Sequence, residues 1–244
     1  MNFQNLPRKD KVVKRAFVPK LDALLFFDYS QIEFLLLGYY CELLGDTSIT
    51  DAMRAGKDLH IELARLITGM DEISDEERQK YGKTPNYAMI YGGGKPTIVQ
   101  QLDVSWHEAG RIVGAFHKQW PGVALLTARI NDTLDTRGYI KTPWGRHLHP
   151  RSRHSALNTL IQGSAADLKR AAMIKVHHHL TGWRSHLVLE VHDELIVDAY
   201  EDEISRLALS IPIHMDYKPI SKIIQIETET EITRTNWAEK TSYE

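Results

Sequence analysis

Leu21-Asp22-Ala23-Leu24-Leu25-Phe26-Phe27-Asp28-Tyr29-Ser30-Gln31-Ile32-Glu33 is the stretch that decides how the rest of this chain is read. Residues 21–27 are apolar enough for a buried strand, and Ser30-Gln31-Ile32-Glu33 opens an apolar run to Tyr40 that suits a helix. Asp28 stands at the junction. A second acidic tip lies far along the chain, where apolar residues 187–191 and 195–197 flank His192-Asp193-Glu194, the pattern of a hairpin with carboxylates at its turn. Taken alone, each Asp reads first as a turn residue. If the two strands are neighbours, Asp28 and Asp193 converge. Such a pair can hold two Mg²⁺ ions about 3.5–4 Å apart, one serving an attacking oxygen and the other a leaving one.

Composition sets the outer bounds. A chain of 244 residues with 43% hydrophobic content can bury one large core or two small ones. Its apolar runs fall short of the roughly 18 residues of a membrane span, and Met1-Asn2-Phe3-Gln4-Asn5 lacks the pattern of a signal peptide. Cys41 is the single cysteine, so neither an internal disulfide nor Cys/His zinc spacing is available. These features predict a soluble protein of the reducing cytoplasm. The net charge of −2 hides segregation: residues 1–20 hold six basic residues against Asp10, and residues 141–186 hold eight against Asp167. Residues 190–244 reverse this with thirteen acids against five bases. Segregated basic segments can line a polyanion groove, although solvated charged faces give the same signal.

Outward from the first motif, helical periodicity predominates from about residue 31 to 137. Residues 51–68 read as one helix, Ser74 with Glu77 forms a capping box, and residues 106–120 and 121–137 read as two helices separated by Pro121-Gly122. Residues 138–146 break the period as a hairpin, residues 155–180 resume as one long helix, and residues 223–232 alternate as a strand. Sheet-forming pieces thus lie at the two ends, with a helical block inserted between them.

Gly82-Lys83-Thr84 has the ending of a phosphate-binding P-loop, but Glu77 sits where that motif needs its first glycine. Helical spacing suggests another use. Lys83, Tyr87 and Tyr91 recur at i, i+4 and i+8 on one face, before Gly92-Gly93-Gly94. A cation at one end and two flat π surfaces beside it can grip a triphosphate and stack a base; the same stripe also serves as core packing.

In that order, Asp28-Tyr29-Ser30-Gln31-Ile32-Glu33, the Lys83/Tyr87/Tyr91-Gly92 spacing and Val191-His192-Asp193-Glu194 resemble motifs A, B and C of the family A (polymerase I-like) DNA polymerases. Smaller matches accompany them: Asn5-Leu6-Pro7 with Arg15-Ala16-Phe17, Asp58-Leu59-His60, Trp120-Pro121-Gly122-Val123, and Asn158 with Gln162-Gly163-Ser164-Ala165-Ala166-Asp167. The resemblance implies an α+β fold: an antiparallel palm sheet with packed helices at residues 1–37 and 151–244, and inserted helical fingers at 38–150. The motif B helix is expected over about 75–102. It also implies template-dependent transfer of a deoxynucleotide to a primer 3′-hydroxyl, with primer-template DNA and dNTPs as partners and two Mg²⁺ ions, or Mn²⁺ in their place, as cofactors.

By the same resemblance, Asp28 and Asp193 are the catalytic metal carboxylates, the Tyr29 carbonyl is a further ligand, and Glu194 supports them. Lys83 is catalytic and, with His60, contacts the triphosphate. Tyr87, Tyr91, Gln31 and Arg78 complete the nucleotide set, and Glu33 blocks the space of a ribose 2′-hydroxyl. Gln162, Asn158 and His192 contact the primer-template, and Arg146, Arg151 and Arg153 lie against phosphates, where contacts set register.

Three residues depart from the family pattern. Gln79 replaces the usual Arg four positions before Lys83, with Arg78 and Lys80 beside it but pointing about 100° away. Pro85 lies inside the expected helix, where it removes a hydrogen bond and moves the helix start toward Thr84. Tyr87 matches some phage members where many bacterial ones carry Phe, which implies ready acceptance of dideoxynucleotides. The chain begins where a full family member is already within its palm, so the reading expects either that the thumb and any exonuclease reside on a second polypeptide, as in a split phage polymerase in a bacterial host's cytoplasm, or that the chain is a fragment. A non-catalytic DNA-binding or assembly subunit is the competing reading, and a two-metal nuclease a third. The latter explains the carboxylates but not the Lys-Tyr-Tyr face or Glu33. His177-His178-His179 reads as a solvated helix end.

Overall fold

The computed structural model describes residues 11–243; the Asn5-Leu6-Pro7 match, Arg8 and Lys9 lie outside them. The chain divides into two compact units, Glu33–Ser164 and the combination of Met1–Ile32 with Ala165–Glu244. Among the described residues no helix is long and apolar enough to cross a membrane.

The first unit is helical. It holds α1 (Ile32–Glu42) from its second residue, α2 (Ser48–Arg54), α3 (Leu59–Thr68), α4 (Thr84–Ile90), α5 (Lys95–Leu102), α6 (Trp106–Gln119), α7 (Pro121–Arg137) and the first turns of α8 (Ala156–His179). Phe34, Leu37, Leu59, Leu63, Ile112, Phe116 and Trp120 are its fully buried centre. The helix expected over 51–68 is two. Gly56 turns the chain at φ 67°, and Asp58 starts α3 anew by accepting the His60 and Ile61 amides at 2.8 and 3.0 Å. The Pro121 start of α7 agrees with the reading, and Gly138 at φ 73° ends that helix.

The single motif B helix expected over 75–102 is also broken. The Ser74/Glu77 capping box starts one turn, residues Arg78–Lys83 follow with π-helical spacing, and α4 begins at Thr84. Pro85 supplies the reason: it has no N–H to continue an i→i−4 ladder, and the Thr84 hydroxyl instead donates to the Gln79 carbonyl at 2.9 Å. After Ile90 the chain leaves the helix through Gly92, whose N–H donates to Met89 while the Gly93 N–H donates to Ala88. That is a Schellman stop, with Gly92 at φ 83° as its left-handed residue.

The second unit is a five-stranded antiparallel sheet of β1 (Ala23–Tyr29), β2 (His186–Val191), β3 (Glu194–Ala199), β4 (Thr228–Thr233) and β5 (Thr241–Ser242), in the order β2-β3-β1-β4-β5. The remainder of α8 and α9 (Ile204–Met215) belong to the same unit. β1 is central because nearly all of its side chains are apolar and buried, the pattern of a strand covered on both faces. Leu24, Phe26, Val191, Ile196 and Trp237 form one cluster, with Phe17 and Leu189 packed against it. The whole is an α+β fold.

Candidate active site

Strand pairing answers whether the two acidic motifs meet. β1 and β3 run antiparallel with Asp28 opposite Glu194, and the Tyr29 amide donates to the Asp193 carbonyl at 3.4 Å. On the other side of β1, Asp28 faces Glu229. Directly opposed residues share a sheet face, so carboxylates crowd around Asp28. Its Oδ1 is buried without a hydrogen-bond partner among the described residues. Burial, followed by the charges of Asp193 and Glu194, pushes its pKa up to about 7, with Lys240 opposing the rise. The Tyr29 hydroxyl is engaged, donating to the Met215 carbonyl at 2.8 Å, so only its backbone oxygen suits a ligand role.

Two lysines that periodicity did not single out organise this end of the sheet. The Lys240 ammonium pairs with both Glu194 and Glu231 and lies 5.0 Å from the Phe26 ring centroid. Burial still leaves the Glu194 pKa raised, although Lys240 draws it down. Glu194 is therefore tied to a lysine. Lys169, from α8, donates to Glu190 at 2.7 Å and to the carbonyl of His192. His192 takes φ 58°, a conformation costly for a residue with a Cβ, and the Lys169 contact holds that carbonyl in the turn preceding Asp193. The His192 side chain is exposed. Partners 46 and 23 residues distant leave no local sequence signal.

In the helical unit, Lys83, Tyr87 and Tyr91 line one groove of about 640 Å³, with Gln79, Thr84, Gly92, Thr97 and Gln101 among its other walls. The Tyr87 and Tyr91 rings are 5.8 Å apart. Arg78 is committed elsewhere, to an ion pair with Asp58 at 2.7 Å. Its neighbour Gln79 lines the groove. His60 is 3% exposed, packed 5.5 Å from the rings of both Phe34 and Tyr87. Glu33 Oε1 accepts from the Tyr91 hydroxyl at 3.2 Å and from Gln162 Nε2 at 3.1 Å, which fixes the carboxylate. Asn158, one turn before Gln162, keeps a buried Oδ1 without a hydrogen-bond partner among the described residues. Arg146 donates to the Gly163 carbonyl at 2.7 Å, Arg153 pairs with Asp135, and Arg151 is exposed. Gln31 is exposed in the sheet unit at φ 50°, in the turn between β1 and α1.

The family model described as DNA polymerase family A matches residues 1–239. The chain belongs to that family. Among curated relatives, a thermostable DNA polymerase I of Thermus filiformis is 32% identical over 218 residues, covering 82% of this chain and 26% of that protein. A DNA polymerase of Mycobacterium phage D29 is 35% identical over 196 residues, covering 79% of this chain and 32% of that protein. The family A chain thus spans about a quarter to a third of their length. Among solved structures, the POL domain of Pol1 from M. smegmatis in complex with DNA primer-template and dNTP superposes with a TM-score of 0.86 at 29% identity. That match covers 97% of this chain and 44% of the solved one. Lys240 lies one residue beyond the family A match.

Proposed function

We propose that this chain carries the nucleotidyl-transfer centre of a DNA-directed DNA polymerase, with the sheet unit as its palm and the helical unit as its fingers. The observation that carries the reading is the half-buried Asp28 carboxylate, whose Oδ1 is buried with no hydrogen-bond partner among the described residues, opposite Glu194 on the neighbouring strand and repelled by Asp193. A carboxylate so placed is expensive without a counter-charge, and a divalent cation is the counter-charge that fits an all-oxygen donor set. Among the described residues no three His, Cys, Asp or Glu side chains are arranged to hold an ion by themselves. Magnesium sites completed by substrate phosphates need only one or two carboxylates.

In this reading Asp28, Asp193 and the Tyr29 carbonyl hold two Mg²⁺ ions, or Mn²⁺ in their place. Bound there, the ions supply positive charge for the attacking and leaving oxygens. The protein's own contribution is position and charge. Lys83 neutralises the triphosphate, Tyr87 and Tyr91 offer flat faces to the base and sugar, and Glu33, fixed by Tyr91 and Gln162, occupies the space of a 2′-hydroxyl. A primer 3′-hydroxyl attacks the α-phosphate and pyrophosphate leaves. Asn158, His192, Arg146, Arg151 and Arg153 serve the primer-template.

The test is primer extension with Mg²⁺ and dNTPs, run on the chain alone and with the remaining length of a family A relative supplied in trans. Templated extension is expected in at least one arm. DNA binding without extension in both would turn the reading toward an assembly subunit, and degradation of the primer toward a nuclease. In the active arm, Glu33→Ala is expected to raise the ratio of ribonucleotide to deoxynucleotide incorporation by roughly ten- to a hundredfold, the range for a pocket that gains or loses one small group. Overall rate falls in the same variant because Tyr91 loses its acceptor, so the ratio is the quantity to measure. An unchanged ratio removes Glu33 from sugar selection.

A further inference from the structure

Behind the groove, a chain of hydrogen bonds has a direction set by chemistry alone. Trp120 Nε1 approaches Asn86 Oδ1 at 3.2 Å. An indole N–H can only donate, so the amide oxygen of Asn86 must face it. The Asn86 amino group then faces two partners, the Leu59 carbonyl at 3.2 Å and His60 Nδ1 at 3.1 Å. A carbonyl can only accept, which agrees with that orientation, and the second amino hydrogen reaches His60. His60 Nδ1 is thereby an acceptor. We propose that Trp120 and Asn86 are positioning residues that hold His60 as the tautomer with its hydrogen on Nε2, so that this N–H is presented to a phosphate of the nucleotide bound at the Lys83/Tyr87 face. The ligand part rests on the nucleotide reading given above; the tautomer part does not.

Three observations support the lock. Asn86 and Trp120 are both fully buried, so no water competes for the amide. Among the described residues His60 Nε2 has no hydrogen-bond partner and is not one of the buried, unsatisfied atoms, so within a residue only 3% exposed it is the ring nitrogen that keeps solvent contact. The backbone of His60 is also held: a Cβ on Gly82 would fall 2.1 Å from the His60 carbonyl oxygen, so the Arg78–Lys83 segment packs directly against it. Burial, aided by Arg78 and Lys83 and opposed by Asp58, pushes the imidazole pKa down to about 4, which keeps the ring neutral at pH 7. A neutral histidine has one N–H, and which nitrogen carries it decides whether the ring can donate to an anion.

Nitrogen-resolved NMR of the imidazoles in the whole chain reads the tautomer directly. In the wild type at pH 7, His60 is expected to show an unprotonated Nδ1 and a protonated Nε2. Trp120→Phe deletes the indole N–H while keeping an aromatic ring, leaves the direction of the Asn86 amide to the Leu59 carbonyl, and is expected to admit a minor share of the other tautomer. Asn86→Asp presents only acceptors, draws the hydrogen to Nδ1, and is expected to weaken dTTP binding in Mg²⁺ by roughly tenfold, the loss of one hydrogen bond to a charged group. If that variant fails to fold, Trp120→Phe carries the test. A wild-type ring protonated on Nδ1 overturns the lock, and a Trp120→Phe ring wholly in the wild-type tautomer overturns the part of Trp120 in it. A correct tautomer whose Nε2 resonance does not move on dTTP titration overturns the phosphate contact and counts against the nucleotide reading while the lock stands.

Discussion

Asp28→Asn is expected to reduce primer extension by roughly a thousandfold or more and, in the presence of a chelator, to raise the melting temperature at pH 8. The two effects share one cause. Asp28 sits on the central strand, its Oδ1 buried with no hydrogen-bond partner among the described residues, opposite Glu194 on one side and Glu229 on the other. Burial and then Asp193 and Glu194 carry its pKa from 3.8 up to about 7. A folded pKa above the unfolded value means that the fold prefers the protonated acid. Its contribution to stability is therefore full below the unfolded value near 3.8 and is lost as pH rises through the folded value near 7. Asparagine has nearly the same shape and cannot ionise, so it escapes that loss. Thermal melts of both proteins in chelator should coincide at about pH 4 and separate by pH 8, with the variant the more stable. A variant less stable than wild type by the same margin at both pH values would mean that the carboxylate makes favourable contacts and is not strained. Stability given up at a buried acid is the usual signature of a site built for another charge.

How much of this is legible in the sequence follows from how local each signal is. The hairpin tip at His192-Asp193 and the helix starts at Ser74, Trp106 and Pro121 are written in adjacent residues, and the structure has them. The stripe Lys83, Tyr87, Tyr91 was legible as a helical spacing, and the three do line one groove, even though Lys83 ends a π-helical run and Tyr91 caps α4. The break at Gly56-Lys57-Asp58 escapes the periodicity because apolar residues on both sides keep a plausible period; the glycine and the Asp cap outweigh it. Lys169, Lys240, Asn86 and Trp120 were out of reach in a different way. Their partners are 23, 46, 26 and 34 residues away, and nothing in the neighbourhood of a lysine says which distant carboxylate or carbonyl it will meet. Sequence patterns locate groups that do chemistry, whereas the groups that orient them depend on tertiary packing.

Gly92→Ala is expected to destabilise the chain by about 2–5 kcal/mol, against about 1 kcal/mol for Gly45→Ala. Both glycines are left-handed, at φ 83° and φ 91°. Both substitutions therefore incur the conformational penalty of placing a Cβ there. They differ in what the Cβ meets: nothing within 4 Å at Gly45, but the His154 carbonyl oxygen at 1.9 Å at Gly92. A side-chain tip could rotate aside; a backbone oxygen can move only with its peptide, so α4 and the segment before α8 must separate. In a chain of this size the difference, about 1–4 kcal/mol, corresponds to roughly 2–16 °C in melting temperature. A functional cost follows through Tyr91, the residue next to the strained position. Its hydroxyl donates to Glu33, whose carboxylate also holds Gln162. Moving the C-terminal end of α4 pulls on that shared acceptor, so Gly92→Ala should also raise ribonucleotide incorporation, though less than Glu33→Ala does. Equal melting temperatures for the two glycine variants would show that α4 and the residue 154 backbone are not in contact in solution, and with it would go the account of why this helix must stop on a glycine after Tyr91.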